Sequence, residues 1–243
     1  IAEYKKKNFE SARVICEKIL NIDSNHFDSI FLLSNLAAMG GDFKKTKKLL
    51  IRAIALQPNN VSAQNNLGNT YKELNDFKNA IKCYEQTIKI KHNHPNAHFN
   101  LGIIYYKLNQ LKEAKNYFEQ TIKIQPNYAL AYFNLGNILT EHKDYKTAKK
   151  LFQKVIDLSP DYASAHNNLG LIFRISGEYE KAISCYKKTI ELQSNHTGAF
   201  NNLGMAYKEL GDFKSAINSH EMAIKLEPEN LYHYFYLSEL KKD

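Results

Sequence analysis

Cysteine is scarce in this chain. Three in 243 residues are too few and too scattered for the disulfide framework that staples small secreted folds. That usage places the chain in a reducing compartment, and a cytoplasmic location is expected. No apolar run approaches the ~18–20 residues that a membrane helix needs, so no bilayer span is expected. No basic start followed by an apolar stretch and a small-residue cleavage site is visible, so no secretory signal is read. The first residue is Ile1 rather than methionine, which points to a segment of a longer polypeptide. Charge of one sign is not concentrated either. Lysine and arginine number 33 against 25 aspartates and glutamates, but the excess of +8 is mostly lysine scattered among glutamates and asparagines. Such a surface favours acidic partners only weakly. It lacks the lysine stripe beside exposed aromatics that single-stranded RNA binding requires. With 44% hydrophobic and 24% charged residues the composition is globular, which excludes collagen-like, mucin-like and wholly disordered chains.

What is present is a repeat. Leu-Gly pairs stand at Leu67-Gly68, Leu101-Gly102, Leu135-Gly136, Leu169-Gly170 and Leu203-Gly204, each 34 residues after the last. With position 1 of the repeat placed at Val61, five units cover 61–94, 95–128, 129–162, 163–196 and 197–230. A sixth, 27–60, keeps the pattern more loosely, with Leu33-Ser34 in place of Leu-Gly. Residues 1–26 form the later part of another unit, with Phe9, Ala12 and Ile15 in phase, and residues 231–243 begin one more. Alanine recurs at position 3 (Ala63, Ala97, Ala131, Ala165, Ala199) and at position 20 (Ala80, Ala114, Ala148, Ala182, Ala216). Position 24 is bulky in Tyr84, Phe118, Phe152 and Tyr186, with His220 as the exception. Position 32 is Pro58, Pro126, Pro160 and Pro228, with His92 and Ser194 departing.

Period, residue type and phase together resemble the tetratricopeptide repeat (TPR), and the resemblance covers essentially the whole chain. It implies an all-α fold, two antiparallel helices per unit stacked into a right-handed superhelix. The residues support helices independently of the resemblance. Ala63, Leu67, Thr70, Tyr71 and Leu74 recur at helical spacing, as do Ala80, Ile81, Tyr84 and Ile88. Between them, Asn75-Asp76-Phe77 is matched by Gly41-Asp42-Phe43 and Gly211-Asp212-Phe213. Glycine or asparagine there ends a helix in the left-handed conformation, aspartate caps the next helix, and phenylalanine re-enters the core. Proline at position 32 is expected to stop the second helix. Glycine at position 8 sits mid-helix at a cost of about 1 kcal/mol relative to alanine. Its recurrence predicts a close approach to the second helix, with alanine at position 20 as the facing residue. Each unit buries its core only against its neighbours, so no domain boundary is expected within 1–230.

No catalytic constellation is apparent. There is no Ser-His-Asp arrangement, no pair of pocket carboxylates and no phosphate loop, so this segment is not read as an enzyme and no cofactor is expected. Cys16, Cys83 and Cys185 read as small core or near-core residues. His92, His94 and His98 are the best metal candidates, but Pro95 intervenes, position 4 reads as a packing position for His98, and no neighbouring Cys or carboxylate completes a ligand set. No metal site is assigned.

The informative feature is position 6, which is Asn66, Asn100, Asn134, Asn168 and Asn202. Asparagine is a mediocre helix former, so propensity does not explain the row. A primary amide offers donor and acceptor together, the complement of a peptide group. Repeats advance about 10 Å and an extended chain about 3.3 Å per residue, so one asparagine meets roughly every third residue of a threaded ligand. The row is similar to the asparagine ladder in the TPR arm of O-linked N-acetylglucosamine transferases, and that resemblance implies backbone capture of a peptide in the concave groove. The alternative is that the amides hydrogen-bond neighbouring helices and fix the pitch of the stack. Position 5 (Asn65, Phe99, Phe133, Asn167, Asn201), with Ile103 and Tyr106, is expected to line the same groove and make its middle apolar. The alternative there is aromatic packing between adjacent first helices. TPR proteins that clamp C-terminal carboxylates carry basic groove residues at positions 2, 5 and 6, which this chain lacks.

The expected partner is therefore an extended peptide or disordered protein segment, with no nucleic acid and no membrane insertion. Two further readings stand beside it. One is the substrate-recognition arm of a larger glycosyl- or sulfotransferase. The other is a self-assembling scaffold, because residues 231–243 open with Leu231-Tyr232-His233-Tyr234-Phe235-Tyr236-Leu237, apolar on nearly every face of a helix.

Overall fold

The structure is a computed structural model that describes residues 2–240. Among them are fourteen α-helices and no strand. Helix α1 spans Ala2–Ile22 and α14 spans Leu231–Leu240. Between them the helices pair as hairpins. In the first half these are α2 (Phe27–Met39) with α3 (Phe43–Leu56), α4 (Val61–Glu73) with α5 (Phe77–Ile90), and α6 (Pro95–Lys107) with α7 (Leu111–Ile124). In the second half they are α8 (Ala129–Glu141) with α9 (Tyr145–Leu158), α10 (Ala163–Ile175) with α11 (Tyr179–Leu192), and α12 (Thr197–Leu210) with α13 (Phe213–Leu226). By packing, the chain up to Pro126 forms one compact unit and the chain from Asn127 a second.

Every hairpin turns in the same way. Position 15 has a positive φ throughout: Gly41 at 77°, Asn75 at 57°, Asn109 at 57°, Lys143 at 60°, Gly177 at 74° and Gly211 at 84°. Glycine adopts this conformation without steric cost and asparagine tolerates it, whereas Lys143 holds it against the Cβ clash. The next residue caps the second helix. Asp42, Asp76, Asp144 and Asp212 accept from the backbone N–H of Lys45, Asn79, Thr147 and Ser215. Gln110 and Glu178 make no such bond. Glu178 instead receives Lys181 and, across to the preceding hairpin, Lys149 at 3.0 Å. Phe43, Phe77 and Phe213 follow the cap as expected, with Leu111, Tyr145 and Tyr179 at that position in the other hairpins, but Phe213 stays 45% exposed. The second helices end two residues before the proline of position 32, at Leu56, Ile124, Leu158 and Leu226. They end at the same phase, at Ile90 and Leu192, where His92 and Ser194 replace it. Proline reinforces that stop without being needed for it.

The core of the five hairpins from α4 to α13 is a glycine against a ring. A Cβ on Gly68, Gly102, Gly136 or Gly170 would lie 2.6–2.7 Å from Tyr84, Phe118, Phe152 or Tyr186 respectively, closer than any real contact. On Gly204 it would lie 2.6 Å from His220. The residue facing position 8 is thus the ring of position 24, not the alanine of position 20. The small alanine lets the helices approach, and the ring one turn further on lies flat across the bare backbone. These rings are fully buried, as are the alanines of positions 3 and 20. Each buried aromatic ring contributes roughly 1.5–3 kcal/mol, which outweighs the helical cost of the glycine.

Two consequences are measurable. Gly102→Ala forces a methyl into Phe118 and is expected to destabilise the protein by about 1–3 kcal/mol in denaturant unfolding. Gly198→Ala, where the nearest atom lies 3.4 Å away on His196, is expected to be neutral or stabilising by up to about 1 kcal/mol. The second consequence concerns His220, which is buried with its ring stacked on Tyr236 at 5.4 Å. Burial, then the charges of His233 and Lys208, lower its pKa to about 4. The folded form keeps this ring neutral while the unfolded chain takes up a proton below about pH 6.5. Its contribution to stability is therefore intact above that pH and is lost as the pH falls towards about 4. Denaturant midpoints near pH 7.5 and pH 5 should show His220→Phe losing about 1–2 kcal/mol less than the unsubstituted protein on acidification.

Candidate functional site

The asparagine row lies on the first helices, half-buried at all five positions. In the first compact unit, Asn66 Nδ2 donates to Asn35 Oδ1 of the preceding hairpin at 3.0 Å. Asn100 Nδ2 donates to Asn69 Oδ1 at 3.1 Å, and Asn100 Oδ1 accepts from Lys72 Nζ at 3.0 Å. In the second unit, Asn168 Nδ2 donates to Asn137 Oδ1 at 2.8 Å, and Asn202 Nδ2 donates to Asn167 Oδ1 at 3.1 Å. Asn134 Nδ2 instead donates to the Leu130 carbonyl one turn back in its own helix, at 2.7 Å.

These partners follow a rule. Asn35, Asn69 and Asn137 all occupy position 9, and a row amide reaches such a partner wherever the preceding repeat carries asparagine there. The residue at position 9 before Asn134 is Ile103, and before Asn202 it is Leu171. Those two amides bond elsewhere. Position 9 also serves the core, because Asn69 Oδ1 accepts the buried Tyr84 hydroxyl at 2.7 Å. Tyr186, in the hairpin with Leu171, has no hydrogen-bond partner of good geometry, and burial raises its pKa to about 12 against the pull of the Arg174 guanidinium. Sequence reasoning passed over position 9. Its trace was legible as Asn66-Leu67-Gly68-Asn69 and Asn134-Leu135-Gly136-Asn137, two amides three residues apart on one helical face.

Each row amide therefore has one N–H engaged and a second without a partner among the described residues. The carbonyl oxygens of Asn66, Asn134 and Asn202 are likewise unengaged, whereas that of Asn168 accepts from Asn167 at 3.1 Å.

Position 5 is drawn into the hairpins. Phe99 packs on Phe118 with centroids 5.7 Å apart, and Phe133 packs on Phe152 at 5.9 Å and on Tyr162 at 5.0 Å. Phe118 and Phe152 lie on the second helix of the same repeat, whereas Tyr162 is the N-cap residue of the next first helix. The position 24 ring that slides over the glycine emerges beside position 5, one turn earlier. Both phenylalanines, Ile103 and Tyr106 remain half-buried. Asn65 is buried, and its Oδ1 has no hydrogen-bond partner. Asn201 bridges two histidines, with Nδ2 2.8 Å from His233 Nδ1 and Oδ1 3.3 Å from His220 Nδ1.

Charge along this face is mixed. Lys72 is drawn below the usual lysine pKa by burial, partly offset by Glu73 at 3.9 Å and reinforced by the neighbouring Lys107 charge. The three histidines considered for a metal are spent on backbone. His94 caps α6 by accepting from Ala97 N at 3.1 Å, His98 Nε2 lies 3.0 Å from the His92 carbonyl, and His92 Nδ1 lies 2.8 Å from the Ile88 carbonyl. Among the described residues no three His, Cys, Asp or Glu side chains gather where an ion could sit, and no helix is long and apolar enough to cross a membrane.

Four family models match. One described as TPR repeat covers residues 68–109 and 136–174. Three described as tetratricopeptide repeat cover 161–228, 95–128, and 49–82 with 117–150. No curated protein sequence matches significantly. Among solved structures, PilF of Pseudomonas aeruginosa aligns with a TM-score of 0.77 at 18% identity, over 96% of this chain and 99% of its own. YrrB, described as a TPR protein with an unusual peptide-binding site, aligns at 0.68 with 21% identity, over 80% and 98%. A MamA protein aligns at 0.63 with 26% identity, over 70% and 92%.

The amide geometry separates two substitutions that look alike in sequence. Asn100→Ala removes the link joining Lys72, Asn69 and the Tyr84 hydroxyl, and about 1–2 kcal/mol of unfolding free energy should be lost in urea titration. Asn134→Ala removes only a bond within its own helix, and its urea midpoint should match the unsubstituted protein within about 0.5 kcal/mol.

Proposed function

The chain belongs to the tetratricopeptide-repeat family, and we propose that it is a non-catalytic interaction scaffold that takes an extended peptide or disordered protein segment on the concave face carrying the asparagine row. The observation behind this reading is the half-used amide. A bond to the neighbouring repeat fixes the orientation of the side chain, and the second N–H stays available to a ligand carbonyl. At Asn66, Asn134 and Asn202 the carbonyl oxygen is available too, so donor and acceptor together can hold one peptide unit. An amide already held in place loses little freedom on binding, which favours affinity without any new contact. The fold is also that of YrrB, for which a peptide-binding site is described.

Magnitude sets the character of the interaction. A net 0.5–1.5 kcal/mol per bond over five positions amounts to about 5 kcal/mol, a dissociation constant of ~0.1–1 mM. Backbone capture by itself is thus weak and indifferent to sequence, as suits a scaffold that meets several partners. Tighter binding requires side-chain contacts.

Asn134→Ala provides the test, because that amide takes no part in joining repeats. Fluorescence anisotropy with a panel of unrelated extended peptides should show affinity falling about 2- to 10-fold for every peptide that binds. Unchanged affinity across the panel, or no binding by any peptide, would overturn the proposal.

A further inference from the structure

The repeat at 27–60 departs from the others at two linked positions. Position 24 is Leu50 where the other five repeats carry Tyr84, Phe118, Phe152, Tyr186 and His220. Position 8 is Ser34 where they carry glycine. The two departures compensate each other. A ring at position 24 comes within 2.7 Å of any Cβ at position 8, so serine is admissible only where the ring is missing. Ser34 and Leu50 are both fully buried, and the Ser34 hydroxyl donates to the Phe31 carbonyl of its own helix.

Leucine does not fill the space of a tyrosine. In the next repeat the Tyr84 ring reaches across the hairpin until its hydroxyl meets Asn69. In the repeat at 27–60 the corresponding volume is open, a cavity of about 250 Å³. It is smaller than the ~300–1,000 Å³ of small-molecule pockets, and it suits a single side chain. Its floor is Leu50 with Thr46 and Thr70, whose hydroxyls are spent on backbone carbonyls, and Phe43 and the flexible, exposed Met39 complete its apolar side. Its rim holds Asn35, Asn66 and Asn69, two position 9 amides and the first member of the row. Asn35 Oδ1 accepts from Asn66, which leaves the Asn35 N–H groups and the Asn66 carbonyl oxygen unengaged at the mouth. Glu73 also stands on the rim, but the Lys72 ammonium lies 3.9 Å from its carboxylate, so the mouth carries no uncompensated charge.

We infer that this cavity is a socket for one aliphatic side chain, of leucine or methionine size, of the peptide whose backbone the rim amides hold. The inference rests on the peptide-binding reading above and adds to it a place where sequence is read. An apolar side and a neutral rim favour an uncharged side chain over lysine or arginine. Met39 lets that side adjust to either aliphatic shape.

The test uses fluorescently labelled serine-glycine-alanine peptides carrying one leucine, one methionine, one lysine or no such residue. Leucine and methionine peptides should bind about tenfold more tightly than the alanine peptide, and the lysine peptide no better than the alanine one. Ser34→Gly combined with Leu50→Tyr restores the pattern of Gly68 and Tyr84 and fills the socket, with Asn35 placed to accept the new hydroxyl. In that double variant the aliphatic preference should vanish while the affinity for the alanine peptide is unchanged. A second readout needs no substitution. Among the three methionines, Met39 should show the methyl NMR shift when the leucine peptide is added, and not when the alanine peptide is. Equal binding of leucine and alanine peptides, a preference for lysine, a preference surviving in the filled variant, or an unmoved Met39 methyl each overturns the socket and leaves groove binding standing. Failure of all the peptides to bind overturns both.

Discussion

The structure depends on a flat ring laid across bare helix backbone. In five consecutive hairpins the position 24 ring occupies the space that a side chain at position 8 would need. That exclusion fixes how near the two helices come, which residues of the first helix turn outward, and where the ring's far end emerges. From it follow the burial of the alanines at positions 3 and 20, the capture of Phe99 and Phe133 by their own hairpins, and the reach of the Tyr84 hydroxyl to Asn69. A cost of about 1 kcal/mol per mid-helix glycine is small beside the burial of a whole aromatic side chain.

Neighbouring hairpins are coupled by a different force. Their apolar contacts are non-directional, but the bonds from Asn66 to Asn35, Asn100 to Asn69 and Asn168 to Asn137 have a direction and a length. Within each compact unit, amides therefore join neighbouring hairpins. A bond to the neighbouring hairpin and an N–H unengaged among the described residues thus sit on the same side chain at Asn66, Asn100 and Asn168.

Most of the fold was legible in the residues. The 34-residue period, the turn triplets with their left-handed residue and aspartate cap, and the burial of positions 3, 8, 20 and 24 follow from patterns that local chemistry makes unambiguous. The one misplaced partner has a physical cause. Facing Gly68 with Tyr84 rather than Ala80 required knowing how far a side chain leans along its helix, which spacing does not encode. The candidate site was less legible. Asn66 and its equivalents stood out by recurrence, but their partners at position 9 vary between asparagine, isoleucine and leucine, so no strict period marked them.

The position 24 ring also reaches past its own hairpin: Tyr84 packs with Ala97, Leu101 and Ile104 of the next repeat, and Tyr186 with Leu203 and Ala206. A hairpin that opens therefore uncovers the ring of the hairpin before it, and the loss of one repeat weakens the repeat that precedes it. Each opening frees 34 residues, about 110–120 Å of slack, and takes with it the amide bond to the adjoining hairpin.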